Sequence, residues 1–509
     1  MPFELTDEQK AIVNTIYDDN KVIKINAFAG SGKTSSLVEI VKEIRKNDKD
    51  SKILYLVFNK SMVDDSKRKF DSLDLNVECY TTHSFALRRF SALRNGDVEV
   101  MPNLDYADYM KIKMTNTSYK YAKYKNVLDM LNAYCLTFDD LDTFCENLIN
   151  KNSKPYNLEG NGIKSFEVKF FRDLYEYFVN HGKFTHNMYL KEYSVNGKDA
   201  VRGYKYVFLD EAQDLNPFML NIINRIKRDK IWIVGDKYQQ IYQWNHAINS
   251  MERYKGLTLP LTTSFRFNDD VCAIANKLLS LRYDDFDEGS IKNFHNNIEV
   301  ADPHKKTILF RKNATMFEYA VNLIKNNDNC KVHFMDVVNG NNADCFEETF
   351  AEMLYFYDQL LEAKDSNSDM LAIYRDSFKI KRSKTIDNYI NIAKKEGSDL
   401  YRYLCRNKNI LSLDLIKFFN FFLMNEFDLI DVLERLRGSE DNDNPEKEYY
   451  LVTAHRSKGL EWSWVKIAQD DWKLSTDDEV NLLYVACTRA KNKLEHSVVD
   501  DLIEVTYGV

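Results

Sequence analysis

A glycine-rich stretch near the start of the chain carries residue types that bind phosphate. Residues 27–35 read AFAGSGKTS, a run of small residues that ends in Gly-Lys-Thr-Ser. Backbone N–H groups of such a loop can cradle phosphate oxygens, a lysine can reach the β- and γ-phosphates, and a threonine hydroxyl can bind Mg²⁺. The pattern predicts a P-loop, with Ala27 where the first glycine usually stands. The residues predicted to bind the phosphates are Ala29, Gly30, Ser31, Gly32, Lys33, Thr34 and Ser35.

Two adjacent carboxylates could complete this chemistry. Asp210 and Glu211 follow an apolar run in the segment VFLDEAQD, residues 207–214. We expect Asp210 to bind Mg²⁺, directly or through water, because this ion prefers oxygen ligands. Glu211 could orient and deprotonate an attacking water molecule. Paired carboxylates after a strand are common on a protein surface, and it is the P-loop that favours a catalytic interpretation here.

The segment GDKYQQIYQW, residues 235–244, combines amides with large aromatic rings. Gln239 lies in a pair of glutamines, and Tyr242 and Trp244 follow two residues apart. Amides reach polar ligands, whereas tyrosine and tryptophan offer flat faces with a polar edge. A site where phosphate chemistry lies close to stacked nucleobases would use both.

Alternating strand and helix patterns position these residues at strand ends and helix starts. Apolar runs predict strands at 21–28, 52–58, 203–214, 230–236 and 306–313. Helical patterns lie between them at 33–46 and 61–70. From 91 to 200 and from 347 to 446 the spacing is mostly helical, and one helix is predicted over 166–182. We therefore predict an α/β fold class with two parallel-sheet cores, each interrupted by a mostly helical insertion.

Composition limits the classes of protein that fit. The chain has 509 residues, enough for about three or four domains. Its eight cysteines are scattered without a Cys-x-x-Cys pair, which argues against a structural zinc site, an iron–sulfur cluster or a disulfide framework. Since the sequence shows neither a secretory signal nor an apolar run that could span a bilayer, we expect an intracellular, cytoplasmic protein, or a nuclear one in a eukaryotic or nuclear viral setting, without membrane contact.

The charge of the chain gives an ambiguous signal about nucleic acid. A net charge of −8 taken alone disfavours a nucleic-acid partner. Net charge does not describe a single groove, however, and residues 111–125 carry five lysines interleaved with three tyrosines. A solvated helix face is the more common role of such a charge run, and both interpretations stay open.

Seven further blocks complete an ordered set of motifs. They read LTDEQKAIV, LVFNKSM, YTTHSFAL, IVGDKYQQIYQW, TTSFRF, TAHRSKGLEW and NLLYVACTRAK. Together with the P-loop and the Asp-Glu pair, they resemble the motifs of superfamily 1A DNA helicases of the UvrD/Rep type, and in particular the helicase core of the F-box DNA helicases. The resemblance covers motif blocks from residue 3 to residue 491, whereas the two insertions match only in position and approximate length.

The resemblance implies roles for residues around the nucleotide. Gln9 would bind adenine through its amide, and Phe265 would stack on the adenine ring. Gln239 would sense the γ-phosphate. Gly459 and Glu461 would face the nucleotide. The residues implied to act on the phosphates of ATP are Lys33, Asp210, Glu211, Gln239, Arg266 and Arg489.

The resemblance also implies contacts to a single strand of DNA. Phe58 would contact a base, and Thr82 and His83 would lie near the strand. Tyr242 and Trp244 would contact or stack on bases, an interaction that tolerates any sequence. His455 would face DNA from a later block. Because the phosphate-sensing Gln239 precedes these two rings closely, a change at the phosphate could move a stacking platform.

Some positions depart from the family pattern. Asn245 stands where an arginine usually follows the tryptophan, which puts one contact to DNA in doubt. SFRF replaces the commoner NYRS but keeps an aromatic residue and the arginine. The second insertion is shorter than in the large bacterial members, so roles assigned to that insertion need not transfer.

By resemblance, the chain is expected to be a motor that uses ATP and Mg²⁺ to translocate 3′→5′ on single-stranded DNA and to unwind duplexes. The expected domains are core 1A (1–90 and 201–260), insertion 1B (91–200), core 2A (261–346 and 447–509) and insertion 2B (347–446). The expected partners are ATP, single-stranded DNA and duplex junctions. A role in DNA repair or replication would fit, whereas the pathway and the protein partners stay open.

Two alternatives remain at the level of the sequence. The first is a translocase of the same superfamily that acts on RNA or an RNA–DNA hybrid, because motors that contact backbone and base faces discriminate the sugar poorly. The second is a nucleotide-gated clamp, or an ATPase that strips proteins from DNA, without processive unwinding. Comparing stimulation by DNA and RNA tests the first, and strand displacement tests the second.

Overall fold

The computed structural model divides the chain into two compact units. Unit 1 comprises Met1–Asn26, Lys33–Lys237 and Tyr242–Pro260, and unit 2 comprises Ala27–Gly32, Tyr238–Ile241 and Leu261–Val509. The residues that the structure describes are 4–57, 59–101, 106–158, 162–197, 200–241, 250–287, 290–294, 302–327, 329–335, 349–364, 369–378, 380–407, 411, 413–425, 429–439 and 445–508. Among the helices in these ranges, none combines the length and the apolar character that a membrane crossing requires.

Unit 1 is built on a sheet of six strands. The strands described for this part of the chain, including two outside that sheet, are β1 (Val22–Ala27), β2 (Ile53–Val57), β3 (Glu78–Thr81), β4 (Glu99–Met101), β5 (Lys183–Thr185), β6 (Tyr206–Leu209), β7 (Lys230–Gly235) and β8 (Leu257–Leu261). The six-stranded sheet has the order β3-β2-β6-β7-β1-β8, and β4 pairs separately with β5. The pairs from β3 to β1 are parallel. Every residue of β2 and of β7 is buried, as expected for strands covered on both faces.

Helices cover this sheet and form the first insertion. They are α1 (Asp7–Asn14), α2 (Lys33–Asn47), α3 (Lys60–Asp71), α4 (Thr82–Leu93), α5 (Tyr106–Thr115), α6 (Tyr124–Tyr134), α7 (Leu141–Ile149), α8 (Ser165–Asn180), α9 (His186–Asn196), α10 (Pro217–Asn224) and α11 (Ser250–Arg253). The helix predicted over 166–182 is α8, and Gly182 follows it with a φ of 67°. One apolar core joins the insertion to the sheet, since Phe171 and Leu54 belong to the same buried cluster.

Unit 2 contains a second parallel sheet. Its strands are β9 (Thr263–Ser264), β10 (Lys292–Asn293), β11 (Lys305–Phe310), β12 (Cys330–Phe334), β13 (Lys447–Thr453), β14 (Trp462–Ile467) and β15 (Ala490–Glu495). Five of them form a sheet in the order β12-β13-β11-β14-β15, while β9 pairs with β10. All of these pairs are parallel. The sheet therefore joins strands from both sides of the second helical insertion.

Helices again cover this sheet. They are α12 (Asp269–Ser280), α13 (Asn313–Asn326), α14 (Ala351–Lys364), α15 (Asp369–Ser377), α16 (Lys384–Lys395), α17 (Leu400–Arg406), α18 (Leu413–Asn425), α19 (Leu429–Gly438), α20 (Asp477–Cys487) and α21 (Ser497–Tyr507). Phe317 of α13 packs edge-on against Phe418 of α18, with ring centroids 5.1 Å apart. The predicted α/β class with parallel sheets is confirmed. The division into 1A, 1B, 2A and 2B, with its boundaries, stays a prediction.

Candidate nucleotide-binding site

The phosphate-binding lysine and the catalytic carboxylate predicted from the sequence lie together in unit 1. Lys33 is the first residue of α2, directly after the loop that follows β1. Glu211 follows β6, two strands away in the sheet. The carboxyl ends of parallel strands meet at one edge of a sheet, and here they bring Lys33 Nζ to 3.2 Å from Glu211 Oε1. Both side chains are only slightly exposed, at 13% and 11%.

Opposite charges determine the protonation of this cluster. Burial alone would lower the pKa of Lys33, but the carboxylates of Glu211, Asp236 and Asp210 raise it above its ordinary value. The pKa of Asp210 is raised by burial and by the charge of Glu211, against the opposing effect of Lys33. The charged lysine thus pairs with Glu211 and is influenced by two further acidic side chains, whose oxygens are of the kind that bind cations.

Both oxygens of Asp210 accept hydrogen bonds from unit 1. The backbone N–H of Glu211 donates to Asp210 Oδ1 over 2.9 Å. The hydroxyl of Tyr55, on β2, donates to Asp210 Oδ2 over 2.6 Å. Asp210 is 1% exposed and Tyr55 is fully buried. The carboxylate is therefore held in one orientation, and each oxygen keeps a lone pair for a further partner.

Glu211 is held by a glutamine that links two strand ends. Its backbone adopts the left-handed conformation, with a φ of 51°. Gln213 Nε2 donates to Glu211 Oε2 over 2.6 Å, and the backbone N–H of Asp236 donates to Gln213 Oε1 over 3.1 Å. Gln213 thus connects the segment after β6 to the end of β7. A non-glycine residue in this conformation costs free energy, and such strain is often found at functional sites.

The donor chemistry of the cluster fits a magnesium ion. Thr34 lies in the first turn of α2 and Asp210 follows β6, so a hydroxyl and a carboxylate are both available as oxygen ligands. Mg²⁺ commonly takes one or two protein oxygens and completes its shell with water and substrate phosphates. Within the described ranges, no group of three or more His, Cys, Asp or Glu side chains is arranged to bind a metal. The hydroxyl of Ser35, the residue after Thr34, accepts a hydrogen bond from Lys69 Nζ over 3.4 Å.

The loop Ala27–Gly32 belongs to unit 2 and uses positive backbone angles. Gly30 and Gly32 have φ values of 73° and 78°, which favour glycine. Ser31 donates from its hydroxyl to the carbonyl of Phe28 over 2.8 Å. Within unit 2, the backbone N–H of Ala29 donates to the hydroxyl of Tyr484 over 3.1 Å. A Cβ on Gly30 would lie 2.5 Å from Ser264 Oγ, so any side chain at this position would also clash with neighbouring atoms.

The two predicted arginines of unit 2 lie close to a shared threonine. Arg266 forms an ion pair with Glu461, with Nε 2.8 Å from Oε2, and donates from Nη1 to the Thr488 carbonyl over 3.3 Å. Arg489 is 1% exposed. Its guanidinium donates to the carbonyls of Val485 and Leu460 and to the hydroxyl of Thr488. These three hydrogen bonds anchor the guanidinium of Arg489 to residues of unit 2.

The structure also describes the other residues of unit 2 that were predicted to bind or sense the nucleotide. Phe265 lies next to Arg266, and its ring centroid is 5.0 Å from that of Phe294. Glu461 also pairs with Lys491, at 2.7 Å. Gly459 has a φ of 89°. Gln239 is buried, and its backbone carbonyl accepts a hydrogen bond from Lys458 Nζ over 2.8 Å.

Gln9, the predicted adenine-binding residue, is fully buried at the start of α1. Its side-chain oxygen accepts a hydrogen bond from the backbone N–H of Thr6 over 3.0 Å, which completes a capping box. Among the described residues, its amide nitrogen Nε2 finds no hydrogen-bond partner. A buried amide donor without a partner costs free energy, and a ring nitrogen of adenine could accept from it.

The predicted DNA-contacting residues are in part deeply buried. Thr82 begins α4 and is 1% exposed. The ring of His83 packs edge-on against those of His186 and Tyr189, with centroids 6.1 and 6.4 Å away. Burial lowers the pKa of His83 to about 4. Burial, followed by the charge of Arg311, lowers that of His455 to about 4.

Three predicted DNA contacts cannot be placed. Phe58, Tyr242 and Trp244 lie outside the described residues, as does Asn245. The glutamine-aromatic segment is therefore described only as far as Ile241.

Sequence reasoning missed three side chains that surround the carboxylates. Tyr55, Gln213 and Asp236 all contact or influence the residues of this cluster. Gln213 carried a signal, because it lies two residues after Glu211 in the same motif. Asp236 ends a predicted strand. Tyr55 carried none, because its contact depends on the pairing of β2 with β6, which the sequence does not reveal.

Comparison with known proteins places the motifs within two recognised domains. Residues 5–254 match the model of the UvrD/REP helicase N-terminal domain. Residues 448–494 match the model of the UvrD-like helicase C-terminal domain. These matches cover the P-loop, the carboxylate pair and the last two motif blocks.

Full-length relatives give the same result. The chain is 27% identical to F-box DNA helicase protein 1 of Schizosaccharomyces pombe over 99% of this chain and 58% of that protein. It is 26% identical to F-box DNA helicase 1 of Gallus gallus over 96% of this chain and 49% of that protein. It is 21% identical to a probable DNA helicase II homolog of Mycoplasma pneumoniae over 96% of this chain and 83% of that protein. The chain thus spans about half the length of the two F-box relatives.

Proposed function

The chain belongs to the UvrD/Rep family of helicases, and from this premise we propose that it is an ATP-dependent DNA helicase whose hydrolytic site contains Lys33, Asp210 and Glu211. The family resemblance inferred from the motif blocks is confirmed by the two matched domains and by the F-box relatives. The observation that carries the proposal is the 3.2 Å pair between Lys33 and Glu211 beside the buried Asp210.

The geometry supports an exchange of partners when ATP binds. Lys33 is charged and paired with Glu211. Phosphate oxygens that enter the loop would compete for Lys33, and the released Oε1 of Glu211 could then accept a proton from the attacking water. Gln213 would keep the carboxylate oriented through Oε2 during this exchange. Mg²⁺, held by Thr34 and Asp210, would neutralise charge on the phosphates.

Further roles in the reaction are proposed from the family resemblance. Arg266 and Arg489 would neutralise the charge that develops during phosphoryl transfer. Arg266 already has a carboxylate partner, Glu461, that it can exchange for phosphate. Phe265 and Gln9 would bind the adenine, and Gln239 would respond to the γ-phosphate. Movement 3′→5′ along single-stranded DNA is the proposed outcome of each cycle, with Mg²⁺·ATP as the cofactor and single strands and duplex junctions as the partners.

Steady-state ATP hydrolysis with and without oligo-dT tests this proposal. We expect strong stimulation by oligo-dT in the parent chain and a loss of about 100-fold in Lys33→Ala, the scale seen when one preorganised charge is removed. Lys42→Ala is the matched control, because Lys42 lies on the same helix and pairs with a half-buried carboxylate, Glu39, at 2.7 Å. We expect Lys42→Ala to retain the stimulated rate.

Two further comparisons separate the alternatives. If oligo-rU stimulated hydrolysis more than oligo-dT, an RNA translocase would replace the DNA helicase. If hydrolysis were stimulated while a strand with a 3′ tail was never displaced, the clamp or protein-stripping ATPase would be favoured. Displacement from a 5′-tailed duplex alone would reverse the proposed polarity. Hydrolysis indifferent to any single strand would reject the proposal.

A further inference from the structure

Tyr55 is buried beside a residue that the sequence places far from it. β2 pairs with β6 in parallel, and Tyr55 is opposite Phe208 in that register. The next position after β6 carries Asp210, and the Tyr55 hydroxyl reaches Asp210 Oδ2 at 2.6 Å. The strand pairing thus delivers a neutral hydrogen-bond donor to the carboxylate that is proposed to bind Mg²⁺.

Packing holds the tyrosine ring in place. Tyr55 is fully buried. Its ring contacts Phe70 of α3 edge-on, with centroids 5.3 Å apart, and Phe208 at 6.4 Å. A ring packed on two sides has little freedom to move its hydroxyl, so the hydrogen bond to Asp210 is set by the fold rather than by the carboxylate.

The hydroxyl of Tyr55 has a second polar neighbour. Ser66, on α3 and 5% exposed, hydrogen-bonds the Tyr55 side chain. This contact slightly opposes the rise in the pKa of Tyr55 that burial and the charge of Asp210 cause. The tyrosine proton is directed to Asp210, because an ionised carboxylate can only accept a hydrogen bond. The three side chains form a short buried chain from α3 through β2 to the end of β6.

We propose that Tyr55 is a positioning residue for the metal-binding carboxylate of Asp210. Its hydroxyl fixes the orientation in which Asp210 presents an oxygen to Mg²⁺·ATP, as donors to ligating carboxylates do in metal sites generally. Because the donor is neutral, it leaves the charge of Asp210 available to the cation. The inference rests on the proposed function, since it requires a nucleotide-bound metal at Asp210.

A phenylalanine at this position would isolate the effect. Tyr55→Phe keeps the ring that packs on Phe70 and Phe208 and removes only the hydroxyl. Asp210 Oδ2 would then lack its tyrosine donor, and the carboxylate could rotate toward Lys33. The expected loss is therefore in the contribution of the metal to nucleotide binding, while contacts that do not involve the metal stay the same.

Binding of a fluorescent, non-hydrolysable ATP analogue to the full chain, measured in Mg²⁺ and in EDTA, tests the proposal. The ratio of the two affinities reports the contribution of the metal. We expect Tyr55→Phe to lower this ratio about 10-fold, the lower end of the effect of losing a partner of a metal ligand. Affinity in EDTA should stay within about twofold, which a merely structural defect would not allow. Asp210→Asn should lower the ratio further.

Tyr175→Phe is the matched control. Tyr175 is buried on α8 and donates to Glu192 Oε1 over 2.5 Å, so the variant also removes a buried tyrosine–carboxylate hydrogen bond, but within the helical insertion. We expect it to leave the ratio unchanged. If Tyr55→Phe does not fold, Ser66→Ala takes its place, and a smaller decrease in the ratio is expected.

The outcomes distinguish this inference from the function beneath it. One outcome is that the parent ratio is high and Asp210→Asn lowers it, while Tyr55→Phe (or Ser66→Ala in its place) leaves it unchanged. Tyr55 then does not position Asp210, whereas the helicase proposal stands. If the parent chain binds the analogue equally in Mg²⁺ and in EDTA, Asp210 does not act through a metal, and this inference is overturned. A decrease of similar size in Tyr175→Phe would also overturn it, because the effect would then be general.

Discussion

His83 shows how burial sets the state of a single side chain. Burial lowers its pKa to about 4 in the folded protein, against about 6.5 in an unfolded chain. Between these two values the unfolded state binds more protons, so the free energy of unfolding falls as the pH falls from 6.5 to 4. The neutral imidazole is therefore the form present near pH 7, and it can offer a hydrogen bond but no charge.

The pH dependence of stability tests the state of His83. Between pH 7.5 and pH 5.0, partial burial of a neutral His83 should lower the free energy of unfolding by about 1–2 kcal/mol. The free energy of unfolding of His83→Gln should therefore fall about 1–2 kcal/mol less than that of the parent chain when the pH is lowered from about 7.5 to about 5.0. Urea unfolding at the two pH values measures this difference. His304→Gln, which replaces an exposed histidine, is the control. Parallel pH profiles for His83→Gln and the parent chain would show that His83 is not buried as a neutral group.

The residues of the cluster differ in how far the sequence could predict them. Lys33, Asp210 and Glu211 each follow a recognisable strand within a motif, and parallel strands end at one edge, so their proximity could be expected. The hydrogen bond from Tyr55 could not, because it depends on which strand neighbours β6. The hydrogen bonds from Arg489 to the carbonyls of Val485 and Leu460 could not be predicted from the spacing of residues in the sequence either.

At the level of elements, the end of β7 closely approaches the turn after β6. A Cβ added at Gly235 would lie 2.6 Å from Gln213 Oε1, closer than side-chain atoms pack. Gly235→Ala should displace Gln213 from the Asp236 N–H and from Glu211. The absence of a side chain at Gly235 thus allows two strand ends to share one glutamine.

Gly235→Ala should therefore affect catalysis more than folding. We expect the DNA-stimulated rate of ATP hydrolysis to fall about 10-fold or more, because Glu211, the proposed general base, loses its orientation. We expect the free energy of unfolding to fall by about 1–3 kcal/mol through overpacking. ATPase assays and urea unfolding measure the two effects. Gly438→Ala is the control, because a Cβ at Gly438 would meet none of the described atoms within 4 Å. An unchanged rate in Gly235→Ala would show that Gln213 does not orient Glu211.

The elements themselves were largely predictable from periodicity. Apolar runs of strand length became β1, β2, β6, β7 and β11, and the helix predicted over 166–182 became α8. The order β3-β2-β6-β7-β1-β8 was not predictable, because it reflects which faces pack together over long sequence separations. The same limit applies to the shared core of insertion and sheet in unit 1.

At the scale of the whole molecule, composition and motif order led in opposite directions. A net charge of −8 argued against nucleic acid, whereas nine ordered motif blocks indicated a helicase. The family match supports the motifs. Net charge is a sum over the entire surface, and a binding groove occupies a small part of it, so the sum carries little information about the partner.

The acidic chain should nevertheless bind DNA through phosphate contacts. Neutralising DNA phosphates releases counterions. For single strands, a plot of the logarithm of the affinity against the logarithm of the salt concentration has a slope of about −0.7 for each phosphate contact. Four or five contacts would give a slope of about −3, or a loss of about 100-fold between 50 and 250 mM KCl. Fluorescence anisotropy with labelled oligo-dT measures this slope.

An oligonucleotide with an uncharged methylphosphonate backbone is the control and should bind weakly with little salt dependence. If oligo-dT bound tightly with a flat slope, base stacking without phosphate contacts would have to account for the affinity, and lysine-lined surfaces such as residues 111–125 would be excluded as part of the binding path.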